Sequence, residues 1–257
     1  MQSADNAVKM PTLSSPHPGV DVRVVHLTDL HVQCAPRFAD LWGKRLIGSA
    51  NLYLFGRQSH FTAAAQAAAV EAACALKPDA VVITGDISAQ ALDSEFEQAR
   101  ALLEPLIQLA PTVVIAGNHD TYVREDAPGA RLRRWFGDCM GAEAPSLRRI
   151  GDVAFLHIET CRTALLSSGH CDPDQLPRAT ELLQDADDCF VFLCQHYPLR
   201  GRDGEPYGPS TRNLSNAAEL EAWIGDNDAV DAILHGHEHH GFRGALTAGG
   251  RTVPILD

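Results

Sequence analysis

The stretch Thr112–Asp120, TVVIAGNHD, carries the reading of the fold. Five β-branched or apolar residues are followed at once by a glycine and three side chains able to bind a cation or a phosphate. An apolar run of this length, without strict alternation, fits a strand covered on both faces. The same grammar recurs on either side. Val22–Leu27 leads into TDLH, Ala80–Ile83 into TGD, Phe190–Leu193 into CQH, and Ala232–Leu234 into HGHEH. Sites in open α/β sheets lie just beyond the carboxyl ends of the strands. Five such ends, each carrying Asp, His or Asn, predict a single pocket.

Helices are expected between the strands. Phe61–Leu76 is rich in good helix formers and stops before Pro78. Ser94 and Glu97 have capping-box spacing ahead of Phe96, Ala99, Leu102 and Leu103, and Asn216 with Glu219 repeats the device more weakly. Strands alternating with helices make the chain α/β. Val153–Ile158 and Thr252–Leu256 read as further strands. Three long segments, residues 32–60, 121–146 and 197–213, have no clear period; they read either as binding loops or as solvated surface with short helices.

With 257 residues, 45% hydrophobic and 21% charged, the chain can bury one large core. We expect residues 1–20 to form a flexible arm without the apolar run of a signal peptide, and residues 21–257 to form the domain. The formal charge of -12 argues against a general grip on nucleic acid or an anionic membrane. It leaves room for an anionic substrate, because bound cations reverse the local field. The alanine-rich Phe61–Leu76 falls short of a membrane span. The seven cysteines are irregularly spaced without a CxxC pair, which predicts reduced thiols and a cytoplasmic location. The chain stops at or just after an apolar strand, which suggests a truncated domain or an edge that an oligomer could cover.

The chemistry-bearing candidates are Asp29, His31, Asp86, Asn118, His119, His196, His237 and His239. Imidazole, carboxylate and amide ligands without thiolates favour Mn, Fe, Zn or similar divalent ions. A pair of ions about 3.5–4 Å apart can orient a phosphoester and stabilise both the attacking and the leaving oxygen. A carboxylate suits the bridge between them, since each oxygen can engage one ion. His26 and His157 lie inside apolar runs and read as packed strand residues. His235 and His240 adjoin candidate ligands, and His60 is ambiguous. Asp120 reads as a brace for the GNHD turn, and Cys194 as a buried strand residue.

The ordered set Asp29-Leu30-His31, Gly85-Asp86, Gly117-Asn118-His119-Asp120, His196 and Gly236-His237-Glu238-His239 resembles the calcineurin-like metallophosphoesterases, over most of the chain. The resemblance implies a four-layer αββα sandwich of two mixed β-sheets flanked by helices, with two divalent metal ions at the carboxyl ends of the strands. It assigns Asp29, His31 and His239 to one ion, Asn118, His196 and His237 to the other, and Asp86 to the bridge. His119 is implied as a catalytic residue and not a ligand, holding the phosphate or protonating the leaving oxygen. The nucleophile is then a metal-bound hydroxide, and no phosphoenzyme is expected.

Departures narrow the branch. Phosphoprotein phosphatases carry GDxHG, GDxVDRG and GNHE, whereas this chain has TDLHV, GDISAQ and GNHD and lacks the usual aspartate partner of the histidine. His196-Tyr197-Pro198, KRLIGSANL at 44–52, DSEFEQARALL at 93–103 and AILHGHEHH look closer to the bacterial cyclic-nucleotide and glycerophosphodiester phosphodiesterases. The expected substrate is therefore a small phosphodiester or phosphomonoester. A nuclease for single strands is the second reading, disfavoured by the acidic balance. An inactive binding module is the third, disfavoured because the ligand set is complete. Arg37, Lys44, Arg45 and Arg57, and separately Arg131, Arg133 and Arg134, form diffuse basic loops that could steer an anion or simply be solvated.

Overall fold

The computed structural model describes residues 22–37, 61–123, 129–163 and 167–257. The N-terminal arm, the KRLIGSANL stretch, Lys44, Arg45, Arg57 and His60 lie outside them. Strands β1 (Val24–Leu27), β2 (Ala80–Ile83) and β3 (Thr112–Val114) form one sheet in that order, parallel throughout the described residues. The second sheet contains β4 (Ser146–Ile150), β5 (Val153–His157), β6 (Phe190–Cys194), β7 (Ala232–Leu234), β8 (Arg243–Ala248) and β9 (Arg251–Leu256), in the order β4-β5-β6-β7-β9-β8. It is mixed: β5, β6, β7 and β9 run parallel, with antiparallel β4 and β8 at its edges.

The period-2 pleat turns each strand's apolar run into two packing faces. In β2, Val81 and Ile83 join the core under the helices α1 (Ala63–Ala75), α2 (Asp93–Leu109) and α3 (Ala130–Phe136). Ala80 and Val82 face the other way and pack with Phe155, Phe190 and Phe192 of the second sheet. On the far side of that sheet, Ala154, Leu156, Val191, Leu193 and Ile233 pack under α4 (Gln175–Leu183) and α5 (Ala217–Asp226). Three cores separate four layers, so the αββα sandwich stands. Each fully buried Val, Leu, Ile or Phe contributes about 1.5–3 kcal/mol, which explains why both faces of the strands are apolar.

Several boundaries differ from the sequence expectation. Helix α1 starts later than Phe61, because the Thr62 hydroxyl caps it by accepting from the Ala65 amide. Helix α2 starts earlier than Ser94. Its N-cap is Leu92, whose amide donates to Glu95 at 3.1 Å, so Glu95 and not Glu97 reaches back. Asn216 does stand at the N-cap of α5, but its side chain bonds Glu219 and Cys171. The 121–146 segment contains α3 and a short 3-10 turn, Gly137–Cys139. Strand β8 follows the HGHEHH motif without having been signalled: its burial is mostly outward-facing and its residues carry no apolar run. All seven cysteines are unpaired, and Cys194 is fully buried, as expected. No helix among the described residues is long and apolar enough to cross a membrane.

Candidate metal centre

The connections after β1, β2, β3, β6 and β7 converge. Two backbone bonds bind the first pair together, Asp29 N–H to Gly85 O and His31 N–H to Asp86 O. Glycines make the approach possible. A Cβ on Gly117 would lie 2.1 Å from the Asp86 nitrogen, and one on Gly236 would lie 2.0 Å from the Thr28 hydroxyl. Among the described residues, seven non-glycines have positive φ, and five of them are Asp29, His31, Asp86, His237 and His239. Such conformations cost on the order of 1–3 kcal/mol each and persist where the surroundings over-determine them. Here the strain is concentrated in the candidate ligands.

Two groups of donor atoms result. Asp29, His31, Asp86 and His239 form one, and Asp86, His196 and His237 the other, each with its ligand atoms within 4.8 Å of one another. In the first, the Nε2 atoms of His31 and His239 are 3.0 Å apart, and Asp29 Oδ1 is 3.4 Å from His239 Nε2. In the second, Asn118 Oδ1 lies 3.1 Å from His196 Nε2 and 2.8 Å from His237 Nδ1. Asp86 belongs to both, with Oδ2 3.6 Å from His31 Nε2 and Oδ1 3.5 Å from His196 Nε2. All seven residues expected as ligands are therefore gathered here.

The chemistry of the set fits cations. Asp29 Oδ1 and Asp86 Oδ2 are buried without a hydrogen-bond partner, a costly state for carboxylate oxygens unless a cation satisfies them. Burial opposes ionisation of Asp29, yet the nearby His239 and His31 imidazoles hold its carboxyl well below the usual range. Burial likewise opposes ionisation of Asp86, and the positive field of His196 and His119 outweighs it. Burial would lower His196, but the Asp86 charge and contact, aided by Asp29, push it up to about 10. The pocket therefore favours positive charge. His237 goes the other way, to about 3, first through burial and then through His196. A neutral imidazole is the form that ligates metal.

Supporting contacts aim these side chains. His196 Nδ1 is 2.8 Å from the Thr84 carbonyl, and Thr28 Oγ1 donates to Asp29 Oδ2, which also accepts the His237 amide. Gln66 of α1, the polar break in its alanine run, donates to the Leu30 carbonyl at 2.8 Å. Asp120 is a brace as expected: its carboxylate accepts from the amides of Ile87, Ser88 and Gly117 and from the Ser88 hydroxyl. His26 bonds Thr84 Oγ1, and burial, then His235, lower it to about 3. His235 is buried against Gly236 O, outside both groups, and His240 is exposed.

His119 is only half-buried and belongs to neither group. Its amide donates to Asp86 Oδ1 at 2.7 Å, and its Nδ1 lies 2.6 Å from the Ala89 carbonyl. Its ring stacks on Tyr122 and meets His31 edge-on, with centroids 4.6 Å apart. Tyr122 carried no sequence signal. Beyond His237, the 197–213 loop borders a cleft of about 610 Å³ lined by Arg202, Asp203, Tyr207 and Glu238. The Tyr207 ring stands 5.8 Å from that of His237.

Residues 22–241 match the calcineurin-like phosphoesterase family. The chain is 30% identical over 180 residues to a cAMP/cGMP dual specificity phosphodiesterase of Mycobacterium tuberculosis, covering 64% of this chain and 50% of that protein. It thus spans about half the length of that relative. A "probable cyclic nucleotide phosphodiesterase" of Pseudoalteromonas is 22% identical over 224 residues, covering 86% of this chain and 73% of that one. A dimetal phosphatase from Danio rerio superposes with a TM-score of 0.54 at 14% identity, covering 91% of this chain and 86% of the other. Motif order, fold and match together place the chain in the calcineurin-like phosphoesterase family.

Proposed function

We propose that this protein is a dinuclear-metal hydrolase of small phosphoesters, with a cyclic nucleotide or a glycerophosphodiester-like compound as substrate. The observation that carries the reading is Asp86, whose two carboxylate oxygens face different donor groups. Asp29, His31 and His239 would hold one ion, Asn118, His196 and His237 the other, and Asp86 would serve both. The donor set suits Mn, Fe or Zn. When bound, the ions supply Lewis acidity, lowering the pKa of water and offsetting the phosphate's charge.

The chain's own groups do the rest. Asn118 contributes a neutral carbonyl oxygen, which adds no repulsion toward an anionic phosphate. His119 donates a proton to the leaving oxygen: water adds to phosphorus, the ester P–O bond breaks, the alcohol departs carrying that proton, and the second proton of the water passes to solvent, from which His119 is reprotonated. With Nδ1 bound to Ala89, the proton passes through Nε2. The names of the two relatives support the cyclic-nucleotide preference. The formal charge of -12 weighs against a nuclease. Seven unpaired cysteines support residence in a reducing compartment such as the cytoplasm.

The test is metal-stripped protein reconstituted with Mn, Fe(II) or Zn and assayed on cAMP, cGMP, a glycerophosphodiester, bis-p-nitrophenyl phosphate and single-stranded DNA. We expect two metal equivalents at saturation and turnover of a small diester. One equivalent at saturation would overturn the dinuclear reading. Preference for DNA would favour the nuclease, and no turnover with any metal a binding module.

A further inference from the structure

The segment Ser88–Leu92 supplies the carbonyl that holds His119, and a buried carboxylate fixes that segment from behind. Glu95, on the first turn of α2, is fully buried. Its Oε2 accepts from the Gln90 amide at 2.8 Å and the Leu92 amide at 3.1 Å, and its Oε1 accepts from the Cys34 amide at 3.4 Å. Gln90 N–H and Ala89 C=O belong to the same planar peptide group. A continuous chain therefore runs from the Glu95 carboxylate through that peptide to His119 Nδ1, with bonds of 2.8 and 2.6 Å. A peptide whose N–H is bound by an ionised carboxylate is a stronger acceptor at its C=O, because hydrogen bonds in series polarise one another.

We propose that Glu95 is a positioning residue for His119, acting through the Ala89–Gln90 peptide in place of a carboxylate bonded to the imidazole directly. It fixes the ring's orientation and keeps the proton on Nδ1 in the neutral form. The remaining amides of the segment have their own partners: Ala89 N–H donates to Val32 O, and Ala91 N–H to Ser88 Oγ. The segment is thus pinned by Asp120 at Ser88 and by Glu95 at Gln90 and Leu92.

The inference rests on His119 as the proton donor to the leaving oxygen, and its test separates the two ideas. Glu95→Gln, Glu95→Asp and His119→Asn are compared with the metal-loaded wild type on p-nitrophenyl and unsubstituted phenyl esters of methyl phosphate. A misplaced proton donor hurts the poor leaving group and spares the good one; general structural damage lowers both. For E95Q we expect kcat on the phenyl ester to fall at least 10-fold and on the p-nitrophenyl ester less than 3-fold, with KM and metal content unchanged. E95D, which keeps the charge but is one methylene short, should show a smaller split, and it decides the matter if E95Q fails to fold. Equal losses on both esters, or none, overturn the role of Glu95. If His119→Asn itself gives no split, the proton-donor reading fails instead.

Discussion

The Nε2 atoms of His31 and His239 stand 3.0 Å apart, although 208 positions separate them in the chain. Two imidazole nitrogens so close share one proton or turn both lone pairs to one cation. The nearby Asp29 and Asp86 carboxylates favour the cation. Chelation should therefore destabilise the fold as well as the activity. A ligand present at 100 times its Kd stabilises by about 2.7 kcal/mol, so a dialysed, chelator-treated sample should melt several degrees lower than the Mn-loaded one. Differential scanning calorimetry with and without added Mn measures this; identical Tm values would count against metal binding by the native state.

Asp86→Asn should disturb both donor groups at once. The amide keeps the shape but offers one neutral oxygen and a donor where two charged oxygens face His31 and His196. Elemental analysis of the purified variant should show depletion of both metal equivalents. One equivalent retained at full occupancy would place Asp86 in a single group.

His119→Asn should lower turnover by about 10²–10⁴-fold, the ordinary worth of a positioned acid, with metal content intact. The ring lies outside both groups and touches Asp86 through its amide nitrogen, which the substitution keeps. Steady-state kinetics combined with elemental analysis on one preparation reads both quantities. Loss of metal together with activity would make His119 a ligand.

How much of this was legible in the sequence follows from what each residue depends on. Asp29, Asp86, Asn118, His196 and His237 could be read because each lies within three residues of the end of an apolar run, and strand ends are local. The two-faced packing of Val81 against Val82 was legible for the same reason. Glu95 was not, since its role depends on Gln90 and Cys34 lying at its carboxylate, a contact spanning 61 positions on one side. Spacing alone favoured the Ser94–Glu97 pair. Tyr122 and Thr84 act through a ring face and a backbone carbonyl, for which side-chain identity carries little signal. Gln66 was not legible either: it bonds inward to the Leu30 carbonyl, yet the sequence offers Glu71, which is exposed, as an equal polar break in the same alanine-rich helix.

Gly117→Ala should abolish the site without replacing a ligand. The added Cβ would lie 2.2 Å from Asp86 Oδ1 and 2.1 Å from its backbone nitrogen, and backbone cannot give way as a flexible side chain does. Overpacking of this kind costs typically 1–3 kcal/mol or more. Urea unfolding should show that loss, and metal affinity should fall with it. A variant with wild-type stability and metal content would mean that the β2 and β3 ends separate more easily than their packing implies.

The last prediction concerns Glu159, away from the donor groups. Its Oε1 accepts the Cys161 amide at 2.6 Å, and its side chain is 26% exposed. Burial raises its carboxyl to about 7 from an ordinary 4.5, against the opposing pull of the Cys161 amide and His196. His157, 3.9 Å away, is lowered to about 4, by burial first and Arg133 second, and so carries no charge to offset it at neutral pH. A carboxyl raised in the folded state binds more protons there than in the unfolded chain between pH 4.5 and 7. Its contribution to stability therefore declines as pH rises through that window and levels off above 7. Glu159→Gln, which can still accept from Cys161, removes the decline. The variant should match the wild type near pH 4.5 and exceed its stability at pH 8, by on the order of 1–3 kcal/mol. Urea unfolding of both proteins at pH 4.5, 6 and 8 measures the difference. A gap that stays constant across the three values would show that Glu159 ionises alike in both states.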